Sequence, residues 1–262
     1  MHVLHVLDHS IPLQSGYTFR TRAILEEQRA LGWQTTQLTG PKHNQGRPIP
    51  AIEEVAGLQF YRCQQAEGFF ANLPVIGQWS VIRVLTKRLI EVAHEERPDV
   101  IHAHSPALNG VAAIRAGSAL GMPVVYEVRG FWEDAAVSHG TSSEGGLRYR
   151  LTRAMETWVL RRADEVTCIC EGIRNDLILR GIDPGKITII PNAVDASRFQ
   201  PVGARDSAIE RDLNLAGKKV IAFIGSFYAY EGLDLLVAAM PKLLSVRPDI
   251  RLLLVGGGQV TE

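Results

Sequence analysis

The chain has 262 residues, a little under two domains at about 150 residues each and enough for more than one sizeable core. Twenty-eight Lys and Arg balance twenty-eight Asp and Glu, and 46% of residues are hydrophobic, so bulk charge recruits no nucleic acid and the composition is that of an ordinary globular protein. The longest apolar runs, such as Leu235 to Met240, and the interrupted apolar start Val3 to Leu7 are too short for a bilayer span or a signal-peptide core, which places the chain in the cytoplasm.

In chain order, hydrophobic period predicts a strand at Val3 to Leu7, a polar turn, a helix over Phe19 to Leu31 closed by Gly32, and strands at Gln34 to Thr39 and Leu58 to Cys63. A longer helix is expected from Val75 to Glu96, with Ile82, Leu85, Leu89 and Val92 on one face and Pro98 as its stop. A strand at Val100 to His104, a helix over Ala107 to Leu120 and a strand at Val124 to Val128 follow. The polar, Gly-containing stretch from Phe131 to Gly146 reads as a loop, after which Leu147, Leu151, Met155 and Trp158 mark a helix face. A strand at Glu165 to Cys170, a helix near Ile173 to Arg180 and a strand at Ile187 to Ile190 complete this half. Alternation of this kind implies a doubly wound parallel sheet covered on both faces.

Residues 196–217 turn polar, with Pro201 and Gly203, and read as a linker between a domain at 1–195 and a second at 218–262. The second holds a strand at Val220 to Ile224, a helix marked by Leu233, Leu236, Met240 and Leu243, and a strand at Arg251 to Val255 ending in three glycines. One βαβ unit is less than a doubly wound sheet needs, so the expectation is a chain cut short in its second lobe. Three cysteines, an odd number, argue for a reducing compartment rather than a disulfide framework. On strand alternation Cys168 and Cys170 share a face as small core residues, with no partner ligands for zinc at hand.

Ligands of open parallel sheets collect beyond the carboxyl ends of strands. The first such turn, Asp8 to Tyr17, holds Ser15, Gly16 and Tyr17, where glycine admits close backbone approach and a helix start favours an anion; the plain alternative is a connecting turn. His102 and His104 share a strand face. No carboxylate or third histidine sits at ligand spacing, so no metal is expected. A histidine poised to hydrogen-bond a sugar hydroxyl or phosphate stands against a core histidine bonded to backbone. Glu127, Arg129, Glu133 and Asp134 reach the same edge. Arg129 has the planar fork that suits phosphate, and the acids invite a glycosidase reading against that of solvated or ion-paired side chains. The Gly-Lys pairs at 185–186 and 217–218 carry Arg180 and Asp212 where a P-loop requires Gly, no G-x-G-x-x-G follows a strand, and no G-x-S-x-G occurs. The arginines around 148–162 could touch anionic lipid heads or be plain surface.

Together the pieces resemble a bacterial glycosyltransferase of family 4 with the GT-B architecture, two Rossmann-like lobes facing each other across a cleft. The matching stretches are the Pro12 to Gly16 turn, Asp99-Val-Ile-His-Ala-His104, Ala163-Asp-Glu-Val-Thr with Cys170-Glu-Gly-Ile, and Ile190-Pro-Asn-Ala-Val-Asp195. Ile221-Ala-Phe-Ile-Gly225, Glu231-Gly232-Leu-Asp and Pro248 to Gly258 continue the match. The wording Asp8-His-Ser-Ile-Pro and Tyr126-Glu-Val-Arg-Gly-Phe-Trp-Glu-Asp134 is most similar to the exosortase A (PEP-CTERM) system-associated subgroup, tied to extracellular polysaccharide assembly. The resemblance implies retaining transfer of a sugar from a nucleotide-diphosphate donor, a co-substrate, to a carbohydrate or lipid-linked acceptor, with no metal or other cofactor and with room for peripheral contact at the inner membrane. It assigns Gly16 to the phosphates, His104 to the transferring sugar or acceptor and Arg129 to charge in the cleft, with Ser15, Tyr17, Glu133, Asn192, Gly225 and Ser226 as further substrate-binding positions. Two places depart from the family pattern: Ser15 stands for a first-turn Gly, and Ser226 and Glu231 stand for the Arg and Lys that meet the diphosphate. Two alternatives stay open, a non-catalytic scaffold of polysaccharide machinery and a sugar-nucleotide epimerase. The 262 residues alone are expected to be inactive.

Overall fold

The computed structural model describes residues 1–44, 49–64, 76–199 and 203–258. Val75, Pro201 and the last four residues, named above, lie outside them. The chain divides into two compact units: Met1–Ala135 with Ser143–Asn192, and Ala136–Ser142 with Ala193–Glu262.

The first unit is built on eight strands: β1 (His2–Leu7), β2 (Gln34–Thr39), β3 (Ile52–Val55), β4 (Leu58–Arg62), β5 (Val100–His104), β6 (Val124–Val128), β7 (Glu165–Cys168) and β8 (Ile187–Ile189). They lie in the order β3-β4-β2-β1-β5-β6-β7-β8. All pairings are parallel except β3 against β4, so the sheet is mixed rather than wholly parallel. The edge strand β3 escapes hydrophobic period because Glu53 and Glu54 occupy its middle; its signal is the turn, where Ala56 (φ 52°) and Gly57 (φ 74°) supply the two positive φ angles of a tight hairpin.

The helices are α1 (Gly16–Ala30), α2 (Ile76–Glu96), α3 (Ala107–Leu120), α4 (Trp132–Ser138), α5 (Leu147–Arg162) and α6 (Glu171–Leu179). Alternation along β1 separates two cores. Leu4 and Val6 join the large cluster with α2, α3 and α5, whereas Leu7 packs with Leu25 of α1 and with Leu58 and Phe60 of β4. The short helix α4 replaces the loop expected at 131–146. It has no apolar period to betray it and is held by one buried ion pair, Arg180 Nη1 to Glu133 Oε1 at 2.7 Å. The strand expected to reach Cys170 stops at Cys168. Cys168 is buried, and Cys170 is the exposed N-cap of α6, so the two thiols do not share a face.

The second unit contains α7 (Ser207–Asp212), β9 (Lys219–Phe227), α8 (Leu233–Val246) and β10 (Ile250–Gly258). Helix α7 lies within the stretch read as linker; Asp206 caps it, its carboxylate accepting from the amides of Ala208 and Ile209. Strands β9 and β10 pair in parallel with Gly256 opposite Gly225. A Cβ at Gly256 would fall 1.8 Å from the Gly225 carbonyl oxygen, so this close approach admits only glycine. No residue of α8 is buried, and Ile224 and Leu235 are exposed.

Candidate functional site

The order of the first sheet reverses between β1 and β5: the chain goes one way from β1 to β2 and the other way from β5 to β6. Beyond the carboxyl ends of that strand pair is where an open α/β sheet forms its ligand crevice. The register sets His5 of β1 beside His102 of β5, and alternation carries His104 to the same face.

From there a hydrogen-bond chain crosses the buried edge. Gln28 Oε1 of α1 lies 2.8 Å from His5 Nε2, and His5 Nδ1 lies 2.9 Å from His104 Nε2. One ring nitrogen of the His5–His104 pair donates and the other accepts, and the remaining His104 Nδ1 lies against both Arg129 Nη2 and, at 2.9 Å, Glu127 Oε2. His5 and His104 are fully buried. Burial, then the neighbouring ring of His102 and the Arg129 cation, lowers His104 to about 3; burial with His102 and His104 lowers His5 well below its ordinary value. Both rings are therefore neutral at pH 7.

Glu127 closes the network. Its Oε1 accepts from Arg20 Nε at 2.8 Å and Arg129 Nε at 3.2 Å, and its Oε2 from Arg129 Nη2 at 3.3 Å. Burial alone would raise this carboxyl; interactions with His104, His102 and Arg129 outweigh burial and hold it well below the usual carboxylate range. Arg20, one helical turn beyond Gly16, also donates to the carbonyls of Ile190 (2.8 Å) and Pro191 (3.1 Å) and to Asn192 Oδ1 (3.0 Å). Arg20 thus ties the sheet edge to the segment that leaves the first unit.

The expected site residues fall into three groups. Ser15, Gly16, Tyr17, His104 and Arg129 come together at the switch point. Ser15 caps α1, its Oγ accepting from the Thr18 amide at 3.2 Å. Gly16 opens the helix with no protein atom within 4 Å of where a Cβ would stand, so the space beside it is free for a ligand. Arg129 stacks over the Tyr17 ring at 4.3 Å. The fork expected to face phosphate is turned inward: Nη1 donates to Tyr17 O (2.8 Å) and Thr21 Oγ1 (2.9 Å), and with the contacts above all three guanidinium nitrogens have protein partners. Arg129 holds the α1 entry and His104 in place. His104 bonds side chains through both ring nitrogens, unlike the backbone-bonded alternative.

Glu133 is a correction. It is fully buried and paired with Arg180, away from any ligand-facing surface, because the start of α4 turns it under the Arg180 guanidinium. Asn192 is exposed and accepts from Arg20; Gly225 and Ser226 lie on β9 of the second unit.

Three residues escaped sequence reasoning: His5, Arg20 and Gln28. The premise that no third histidine lies near His102 and His104 also fails, since His5 brings a ligand nitrogen of each into one group within 4.8 Å. His5 and His104 are hydrogen-bonded to each other, the rings of His102 and His104 stack at 4.3 Å, and Arg129 opposes an added cation. A neutral hydrogen-bonded histidine chain describes this group better than a ligand set. The signal for it was the adjacency of β1 and β5, which strand order alone provides.

Among curated relatives, the D-inositol 3-phosphate glycosyltransferase of Segniliparus rotundus is 30% identical over 168 residues, 63% of this chain and 36% of that protein. The glycogen synthase of Mycobacterium tuberculosis is 30% identical over 164 residues, 62% of this chain and 36% of that protein. The matched part thus spans little more than a third of these relatives' length. The sucrose-phosphate synthase of Thermosynechococcus elongatus superposes with a TM-score of 0.72 at 19% identity, covering 100% of this chain and 64% of that one. These likenesses show a mixed α/β fold with a parallel-dominated sheet, that of GT-B glycosyltransferases. The description Glycosyl transferase 4-like domain matches residues 15–193, from the Ser15 cap through the Asn192 anchor and well over half of the chain, and the chain belongs to that family.

Proposed function

We propose that this chain serves retaining transfer of a sugar from a nucleotide-diphosphate donor to a glycan or lipid-linked acceptor in polysaccharide assembly. The observation that carries the reading is the start of α1: Gly16 faces open space at the switch point, and the first-turn amides of Gly16 and Tyr17 have no intrahelical acceptor. A helix start of this kind stabilises an anion, whether a diphosphate or an acceptor phosphate, without a metal. The Arg20–Glu127–Arg129 cluster fixes that helix start, and neutral His104 supplies a hydrogen bond to sugar or acceptor once its neighbours shift. Asn192 completes the proposed contacts of this unit, Gly225 and Ser226 are separate proposed substrate positions of the second unit, and the exosortase-associated role is the finer reading of the sequence.

The test, run on a protein that carries this chain at the full length of its relatives, is transfer of labelled sugar from UDP- and GDP-sugars to lipid-linked glycan acceptors, with the anomeric configuration of the product read by NMR. Retained configuration is expected. Gly16→Ala should lower kcat/KM about ten-fold, the effect of roughly 1.4 kcal/mol of steric conflict, while the melting temperature stays put, since no protein atom opposes the methyl. Inverted product, a free donor inverted at C2, or Gly16→Ala indistinguishable from the parent would each sink the reading.

A further inference from the structure

A second surface lies on α5, outside the network described. Five of its sixteen residues are arginines, at 148, 150, 153, 161 and 162, and its one acid, Glu156, is buried. In a chain whose charges cancel as a whole, this concentration is local. At 100° per residue, Leu147, Leu151, Ala154 and Trp158 form one outward strip, with Arg150, Arg153 and Arg161 along one flank and Arg148 and Arg162 along the other. Leu147 is 76% and Leu151 52% exposed. A groove of about 490 Å³ runs along the helix, lined by Arg150, Arg153, Thr157, Trp158, Arg161 and Arg162. The Arg162 guanidinium covers the Trp158 ring at 4.3 Å. Among the described residues none of Arg150, Arg161 and Arg162 has an ion-pair partner.

We infer that α5 is a docking face for a bilayer bearing acidic lipid headgroups, with the leucine strip entering the headgroup boundary and the flanking arginines meeting lipid phosphates. The charge fits any polyanion; the leucines select among them. Two exposed leucines one turn apart gain from contact only if they leave water, which a nucleic acid or a soluble acidic glycan does not provide and a bilayer interface does. The half-buried Trp158 is the residue type that settles at such an interface. No helix among the described residues is long and apolar enough to cross a membrane, so the contact is one that lies on the surface. The chain enters α5 from the β6 and α4 side, and α5 delivers it to the start of β7. Its Leu147 end therefore belongs to the carboxyl edge of the sheet, where the histidine network sits. A face so placed sets that edge toward whatever the membrane carries.

The experiment is co-sedimentation of the protein with phosphatidylcholine vesicles, plain or with about a third phosphatidylglycerol. It needs no nucleotide sugar, so it stands or falls separately from the transferase reading. Binding is expected on the acidic vesicles only and should weaken as salt screens the charges. Arg150→Gln with Arg161→Gln should lower vesicle partitioning about 25-fold, at about five-fold per arginine charge removed. Leu147→Ser with Leu151→Ser should lower it about ten-fold. All four positions are exposed, so both variants keep the parental melting temperature. Equal binding to plain vesicles, or no weakening of the parent protein in salt, overturns the inference. So does a leucine variant that still binds like the parent, which would mark the face as a general polyanion surface.

Discussion

His5, His43 and His104 are buried and held neutral, while Glu156, equally buried, is held protonated. Their effects on stability therefore run in opposite directions. Burial and Arg62 lower His43 to about 4, and His104 falls to about 3. Burial raises Glu156 to about 7, the hydrogen bond from Tyr126 opposing and nearby Glu133 reinforcing. Between about pH 5 and 6 the unfolded chain binds protons on the three histidines that the native state refuses, so stability rises with pH. In the same window native Glu156 keeps a proton that the unfolded chain, at its ordinary 4.5, has lost, so this residue makes stability fall with pH. Glu156→Gln removes the opposing group and leaves an oxygen to accept from Tyr126. The slope of unfolding free energy against pH should steepen by one proton, about 1.4 kcal/mol per pH unit. Urea unfolding at half-unit steps of pH measures it; an unchanged slope would mean that Glu156 is ionised in the native protein.

At the scale of elements, helix α3 shows what a single carbon does to the packing that carries the site. It is buried nearly all round, from Ala107 through Gly117, and Gly110 lies where α3 meets both α5 and β6. A Cβ there would stand 2.4 Å from Val159 Cγ1 and 2.8 Å from Tyr126 Cε2. Overpacking costs about 1–3 kcal/mol, against a helix-propensity gain of up to about 1 kcal/mol for Ala over Gly. Gly110→Ala should thus be destabilising in calorimetry, by several degrees at the upper end of that range; a melting temperature at or above the parent would refute the packing. Elements of this kind were legible in the sequence, because β5, α3 and β6 are largely buried runs whose bounds coincide with their apolar period. What stayed hidden was held by something other than period. A two-residue turn makes β3, the Arg180–Glu133 pair makes α4, and a side-chain cap makes α7. The same holds for the site: His104 and Arg129 sit at strand ends that the alternation locates, but His5 and Arg20 join them only through strand order and a helix turn, which are relations across the sheet.

For the whole molecule, the division into two units follows the distribution of buried side chains. Almost every buried apolar residue, from Val3 to Ile187, belongs to the first unit; in the second Leu215 is the buried one among the described residues. Local opening free energy scales with such burial, so the two units should differ in backbone protection even though their hydrogen-bond ladders are alike in kind. Among the described residues the strands β9 and β10 pair only with each other, and a two-stranded ladder has little stability of its own in water. Hydrogen exchange read by mass spectrometry should find the amides of β1, β5 and β6 protected for hours, while those of β9, β10 and α8 exchange within about minutes. Equal protection in both units would mean that the exposed faces of Ile224, Leu235 and Val246 are covered in solution by contacts absent from this chain's own fold, and a nucleotide sugar that slowed exchange around Gly225 and Ser226 would place donor binding on those strands.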